Sequence, residues 1–254
     1  MITTCPKCGY QRQSSDSHVV AGVCPSCGIA YKKWLERQAL QQAQQDPEGD
    51  NDLSIESEPS PTFSTRLREQ FLYVPDKVDP LSFWGRAFLF GVFFIWGWSF
   101  ILGGISWVSI GGSFLHNVIL PFHEFGHVLF SPFGRFMSIL GGSLFQVIMP
   151  LGLMLAFSIK QRDNFAASIM LWWSGQSFID VSPYIADAPY RAIPLIRGLG
   201  ESAHDWGNLL TMTNSLDSAW TYAQISFGIG TLLILCSYGW GAWLLYQQKQ
   251  RMSD

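Results

Sequence analysis

Charge is scarce in this chain and unevenly spread. Asp, Glu, Lys and Arg make up 14% of the 254 residues, with a formal net charge of −3. Residues 1–80 carry most of it, whereas from Leu81 onward long apolar stretches rich in Phe, Trp and Gly are broken by few ionisable side chains. No dense Lys/Arg stripe is present: residues 1–40 hold five basic against two acidic side chains, too weak a field for a nucleic-acid partner. The first nine residues lack the basic-then-apolar pattern of a secretory signal, which predicts a cytosolic N-terminus. Asp46–Thr62 lacks basic residues altogether. With six acidic residues, three prolines and too little apolar surface to offset ordering entropy, it reads as a flexible linker.

Cysteine is also sparse, and four of the five form two matching knuckles, Cys5-Pro-Lys-Cys8-Gly9 and Cys24-Pro-Ser-Cys27-Gly28, fifteen residues apart. Each Cys-x-x-Cys turn offers two thiolates to one ion, and four thiolates close a tetrahedral structural zinc site. A pair of disulfides fits poorly with a reducing compartment. Residues 1–30 therefore read as a zinc ribbon, suited to docking a cytosolic protein partner or to capping the terminus. Cys236 has no ligand partner at useful spacing and reads as a packing residue.

A hydrocarbon core about 30 Å thick requires about 20 helical residues. Five stretches meet that length: Phe83–Trp107, Gly111–Phe133, Met137–Ile159, Phe165–Ala186 and Trp220–Tyr246. The fold class expected is thus an all-α polytopic membrane protein with about five membrane-embedded helices and a small N-terminal zinc ribbon. Residues 31–80 supply a polar helix, the acidic linker and a membrane-proximal segment, and residues 81–254 the membrane domain. Five full crossings would put Lys160 and Arg162, and later Lys249 and Arg251, outside the cytosol, which strains the positive-inside tendency. A re-entrant Gly111–Phe133 segment would remove that strain; five crossings is the expectation adopted.

Within the second stretch stands His123-Glu124-Phe125-Gly126-His127. On a helix His123 and His127 lie one turn apart on one face, so both imidazoles reach one metal ion, and Glu124 stands beside them as a general base. Two histidines and a glutamate in an apolar span are unfavourable unless they line a polar site or bind an ion. A catalytic zinc needs a third protein ligand and leaves its fourth position to water. Asp180, in the fourth stretch, is the expected third ligand. It sits at a depth comparable to His127 if both spans cross in the same direction, and Gln176, Asp180, Tyr184 and Asp187 form one polar stripe. Asp187 and His204 are the other candidates. Asp205 reads as the acidic member of a capping box with Ser202, and His116, about 10 Å from His123 along the helix, as a path-lining or packing residue.

These residues resemble the site-2 protease family of intramembrane zinc metalloproteases over roughly Gly111 to Asp187. The match rests on His123-Glu124-x-x-His127, a later aspartate at Asp180, and Gly142-Ser-Leu-Phe-Gln146, which is similar to that family's small-residue motif. Two departures stand out: Val181 follows Asp180 where the family has Gly, and no inserted PDZ-like domain is seen. The resemblance implies a zinc-dependent intramembrane endopeptidase with a cytosol-side active site. Its cofactors would be one catalytic and one structural zinc, its substrate a membrane protein or peptide, and its milieu the lipid bilayer. Two other classes fit the residues. A non-enzymatic membrane adaptor would show a closed site with a fourth protein ligand such as His204 or Asp187. A zinc or proton transporter would thread His116, His123, His127, Asp180 and Asp187 along a path.

Overall fold

The computed structural model describes residues 3–45, 62–195 and 200–252 and divides the chain into two compact units, Met1–Ser60 and Pro61–Asp254. Most of the acidic linker predicted over Asp46–Thr62 lies outside the described residues. The described residues hold nine α-helices and no strand, only isolated bridges.

In the first unit the two knuckles are near copies. Gly9 N–H donates to the Cys5 carbonyl and Gly28 N–H to the Cys24 carbonyl, each at 2.9 Å. Gly9 (φ 74°) and Gly28 (φ 70°) take the left-handed turn that closes each knuckle. The Arg12 guanidinium fastens the loop between them by donating to the carbonyls of Asp16, Val19, Val20 and Val23. Helix α1 (Tyr31–Gln45) follows, with Tyr31 packed on Cys5 and Cys24.

The second unit opens with the short α2 (Phe63–Phe71) and continues with α3 (Pro80–Gly103), α4 (Trp107–Gly111), α5 (Phe114–Phe130) and α6 (Arg135–Ala156). Helices α7 (Asn164–Ala186), α8 (Asp205–Met212) and α9 (Ala219–Gln250) complete it. A helix lies in each of the five predicted stretches. Among the described residues three helical segments are long and apolar enough to cross a membrane: Pro80–Gly103, Arg135–Gln161 and Leu216–Gln250. That composition is the one expected of a membrane protein.

Helix α7 is the centre of the bundle, which explains why polar residues are scattered along it. Ser168, Ser174 and Ser182 return their hydroxyls to backbone carbonyls, as Ser182 does to Ile179 at 2.7 Å. It meets α9 at Gly175 and Gly230, where a Cβ on either would stand 2.5–2.7 Å from the other's carbonyl oxygen. Small residues at such a crossing let two backbones touch, the main source of helix association once both sides are apolar. Buried Trp172 on α7 packs edge-on against Phe93 of α3, with 4.7 Å between centroids, and its Nε1–H reaches Tyr238 Oη of α9 at 3.4 Å. The pair α5 and α6 is antiparallel, with Gly126 against Gly141 so closely that neither has room for a Cβ.

Polar contacts gather the start of α3, the end of α6, the start of α7 and the end of α9 at one end of the bundle. Arg86 donates to Gln248 Oε1 at 3.2 Å and to Asp163 Oδ2 at 3.1 Å. Asn164 donates to the carbonyls of Gln70 and Tyr73, and Gln70 to that of Ser158. Val78 N–H donates to the Arg251 carbonyl. Helix α5 sits far from that end. His116 near its start meets Asp180 of α7, sixteen residues or about 24 Å along that helix, while His127 near its close meets Ser138, about 30 Å before Ser158 on α6. Eleven residues of α5 thus change depth by only about 6 Å, so α5 lies obliquely across its neighbours.

Candidate metal centre

The four ribbon sulfurs lie within 4.8 Å of one another. Cys5 Sγ stands 3.7 Å from Cys27 Sγ, and Cys8 Sγ 3.7 Å from Cys24 Sγ. A disulfide would hold its sulfurs near 2.05 Å, whereas tetrahedral zinc with bonds of about 2.3 Å sets them about 3.8 Å apart. The expected four-thiolate set is thus assembled and all four cysteines are free. Burial pushes the Cys24 thiol up, but backbone N–H bonds from Cys27 and Ser26 and its thiol neighbours bring it down overall, while its neighbour Cys27 is pushed up.

In the membrane unit His123, His127 and Asp205 converge, with donor atoms within 4.8 Å of one another. Asp205 Oδ2 stands 3.0 Å from His123 Nε2 and 3.4 Å from His127 Nε2. Tetrahedral bonds of about 2.0–2.2 Å would place neighbouring ligand atoms about 3.4 Å apart. The far side of each ring is already committed. His127 Nδ1–H donates to the Ser138 carbonyl at 2.8 Å. His123 Nδ1 lies 2.7 Å from Gln146 Oε1, and the Gln146 amide is oriented by its Nε2 donating to the Ser177 carbonyl at 3.2 Å. With both Nδ1 atoms donating, each ring turns Nε2 toward one carboxylate oxygen, a gap that either a ring proton or a shared cation bridges. Gly142 clears the space, since a Cβ there would fall 2.6 Å from both Nε2 atoms. The donor set, its fixed rings and the cleared space fit a divalent ion such as zinc.

The third carboxylate is not the one expected. Asp180 is engaged by His116, whose Nδ1 lies 3.0 and 3.1 Å from its two oxygens, and Asp205 takes its place beside the histidines. Of the polar stripe on α7, Asp180 meets His116 and Tyr184 the His123 ring, while Asp187 turns to His204; Asp180 thus meets α5 two turns before His123. The capping assignment changes as well. His204, not Ser202, is the N-cap of α8: its Nδ1 accepts from Gly207 N–H at 3.0 Å. On its other side Nε2–H donates to Asp187 Oδ2 at 3.2 Å, and Asp187 also accepts from Ile193 N–H at 2.9 Å. Asp187 and His204 are thereby spent on one another, and His204 is wholly buried. Together they pin the chain that presents Asp205. Tyr184 Oη adds a third fastening by accepting from the Asp205 N–H at 2.8 Å and donating to Oδ2 at 3.4 Å. Trp206 Nε1–H ties α8 to Ser143 of α6 at 3.0 Å.

A cavity of about 440 Å³ opens beside the triad, lined among others by Glu124, Leu120, Tyr184, Leu195, His116 and Asp180. Its size is that of a ligand site. Glu124 is exposed on the turn between the histidines and, with no part in the triad, keeps its carboxylate available to the cavity. Among the described residues the triad has no fourth protein ligand.

No protein-family model, no curated protein and no solved structure matches this chain. The functional reading therefore rests on the geometry of the site.

Proposed function

We propose that this protein is a zinc-dependent intramembrane endopeptidase. One observation carries the reading: three protein ligands, with their outer ring nitrogens locked by Gln146 and Ser138, stand at a cavity that Glu124 also lines. An adaptor with structural metal needs a closed site, and the two groups that would close it, Asp187 and His204, hold each other instead. When bound, the ion supplies Lewis acidity to a water and to the scissile carbonyl. Glu124 takes the proton of that water as it adds to the carbonyl carbon and returns it to the amine as the C–N bond breaks. His123 and His127 hold their orientation through the Nδ1 bonds, and Asp205 through Tyr184 and the His204 cap.

The expected outcome is cleavage of a membrane-spanning peptide by the purified, detergent-solubilised full chain, read as two fragments by mass spectrometry. A zinc chelator abolishes the cleavage and added Zn²⁺ restores it. Cleavage that survives the chelator would count against the assignment.

Four full crossings, α3, α6, α7 and α9, with α4 and α5 re-entrant, suit this bundle better than five. Arg86, Lys160, Arg162, Lys249 and Arg251 then share one end, joined by Arg66, Arg68 and Lys77, and the positive-inside tendency assigns that end to the cytosol together with the ribbon. The metal centre, about 25–30 Å away from it, would open toward the opposite face rather than the cytosolic one. In sealed vesicles of known orientation, a membrane-impermeant maleimide should label Met212→Cys from the non-cytosolic side. Lys249→Cys should label only from the cytosolic side, and the reverse pattern would discard this topology.

A further inference from the structure

Two polar groups of the cavity have no part in holding the ion or moving the proton: His116 and Asp180. The Asp180 side chain is 5% exposed and faces the His116 ring with both oxygens, at 3.0 and 3.1 Å from Nδ1. A carboxylate so deeply buried is held there by a donor, so Nδ1 carries the hydrogen, and in the neutral ring Nε2 keeps its lone pair. No described residue bonds Nε2, and the ring lines the cavity. Trp107 stands edge-on to the ring, with centroids 5.1 Å apart, and holds it from the side. The result is an oriented acceptor backed by a buried negative charge.

Its distance from the ion decides what it meets. His116 precedes His123 by seven residues of α5, about 10 Å along the helix, and an extended peptide advances about 3.3 Å per residue. A chain whose reacting carbonyl lies at the metal centre therefore brings the third residue away alongside His116. Reaching the reacting atoms themselves is beyond the pair, so its part is selection.

We infer that His116 and Asp180 form a substrate subsite for a hydrogen-bond-donating side chain, a hydroxyl or an ammonium, about three residues from the cleaved bond. This deepens the endopeptidase reading and rests on it. A hydroxyl donates to Nε2, and an ammonium also offsets the net negative charge of the pair. An aliphatic side chain leaves Nε2 unpaired, and a carboxylate is repelled.

The test uses uncleavable phosphinic hexapeptides on the zinc-loaded full chain in detergent, with affinities read by calorimetry. The reference ligand is leucine throughout, and Ser, Lys or Glu replaces the third residue before or after the phosphinyl group. At one of the two positions Ser and Lys should bind about threefold to tenfold tighter than Leu, the worth of one net hydrogen bond, and Glu should bind more weakly. Asp180→Asn and, independently, His116→Phe should erase the preference while zinc content and affinity for the all-leucine ligand stay at wild-type values. Absence of a preference at both positions overturns the inference, as does a preference that survives both variants or a loss of zinc from either. A chain that shows the preference yet cuts no peptide overturns the endopeptidase reading alone. One that cuts peptides without preference overturns the subsite alone, and one that binds none of the ligands overturns both.

Discussion

Glu124→Gln should abolish cleavage while leaving the metal in place. The side chain keeps its size and loses only its capacity to take a proton, and general acid–base groups of this kind contribute about 10²–10⁴-fold. Glu124 stands outside the triad of His123, His127 and Asp205, so zinc content should match wild type. The loss should fall on kcat, because the carboxylate acts as water adds to the carbonyl and as the amine departs. Undiminished turnover with zinc retained would remove Glu124 from the chemistry. Loss of zinc would instead make it a ligand.

Asp205→Ala should release the membrane-domain zinc, and Asp180→Asn should not. The alanine leaves two histidines of one helix and removes the carboxylate that, among the described residues, groups with both Nε2 atoms. Outer groups that merely orient a ligand typically account for 10–100-fold in affinity, so the loss for a direct ligand should exceed that range. The ribbon offers an internal reference. Dialysed Asp205→Ala protein should retain one zinc per chain, held by Cys5, Cys8, Cys24 and Cys27, where wild type and Asp180→Asn retain two. Two zincs in the Asp205→Ala protein would break the assignment.

The contrast between these aspartates marks how far the sequence could be read. Apolar runs locate the helices because hydrocarbon thickness sets their length, and paired knuckles give the ribbon because ligand spacing is local. His123-x-x-x-His127 is legible for the same reason, both ligands being one turn apart. Asp205 is separated from His123 by 82 positions, and no periodicity within a helix says which loop folds back over it. Its neighbourhood also invites a simpler account, since Ser202-x-x-Asp205 has the form of a capping box while the true cap is His204. The usable signal was Asp187, a carboxylate at a helix end with a histidine and an aspartate downstream, enough to tie down a loop. Depth alone does not pick the partner: Asp180, expected level with His127, lies against His116 instead. The oblique path of α5 is not written in its own composition, because an oblique helix and a crossing one are equally apolar; only the flanking Lys160, Arg162, Lys249 and Arg251 bear on it.

Asp205 also gives the site an order of arrival. His123 and His127 leave the ribosome and enter the bilayer with α5, while their third partner is still 78 residues away from being translated after His127. Until α7 has been inserted and the segment from Asp187 to His204 has been fastened behind it, the two histidines have nothing to share an ion with. On the proposed function, a nascent or truncated chain that lacks Asp205 would be inert toward its neighbours in the membrane, and hydrolytic competence would arrive only with α8.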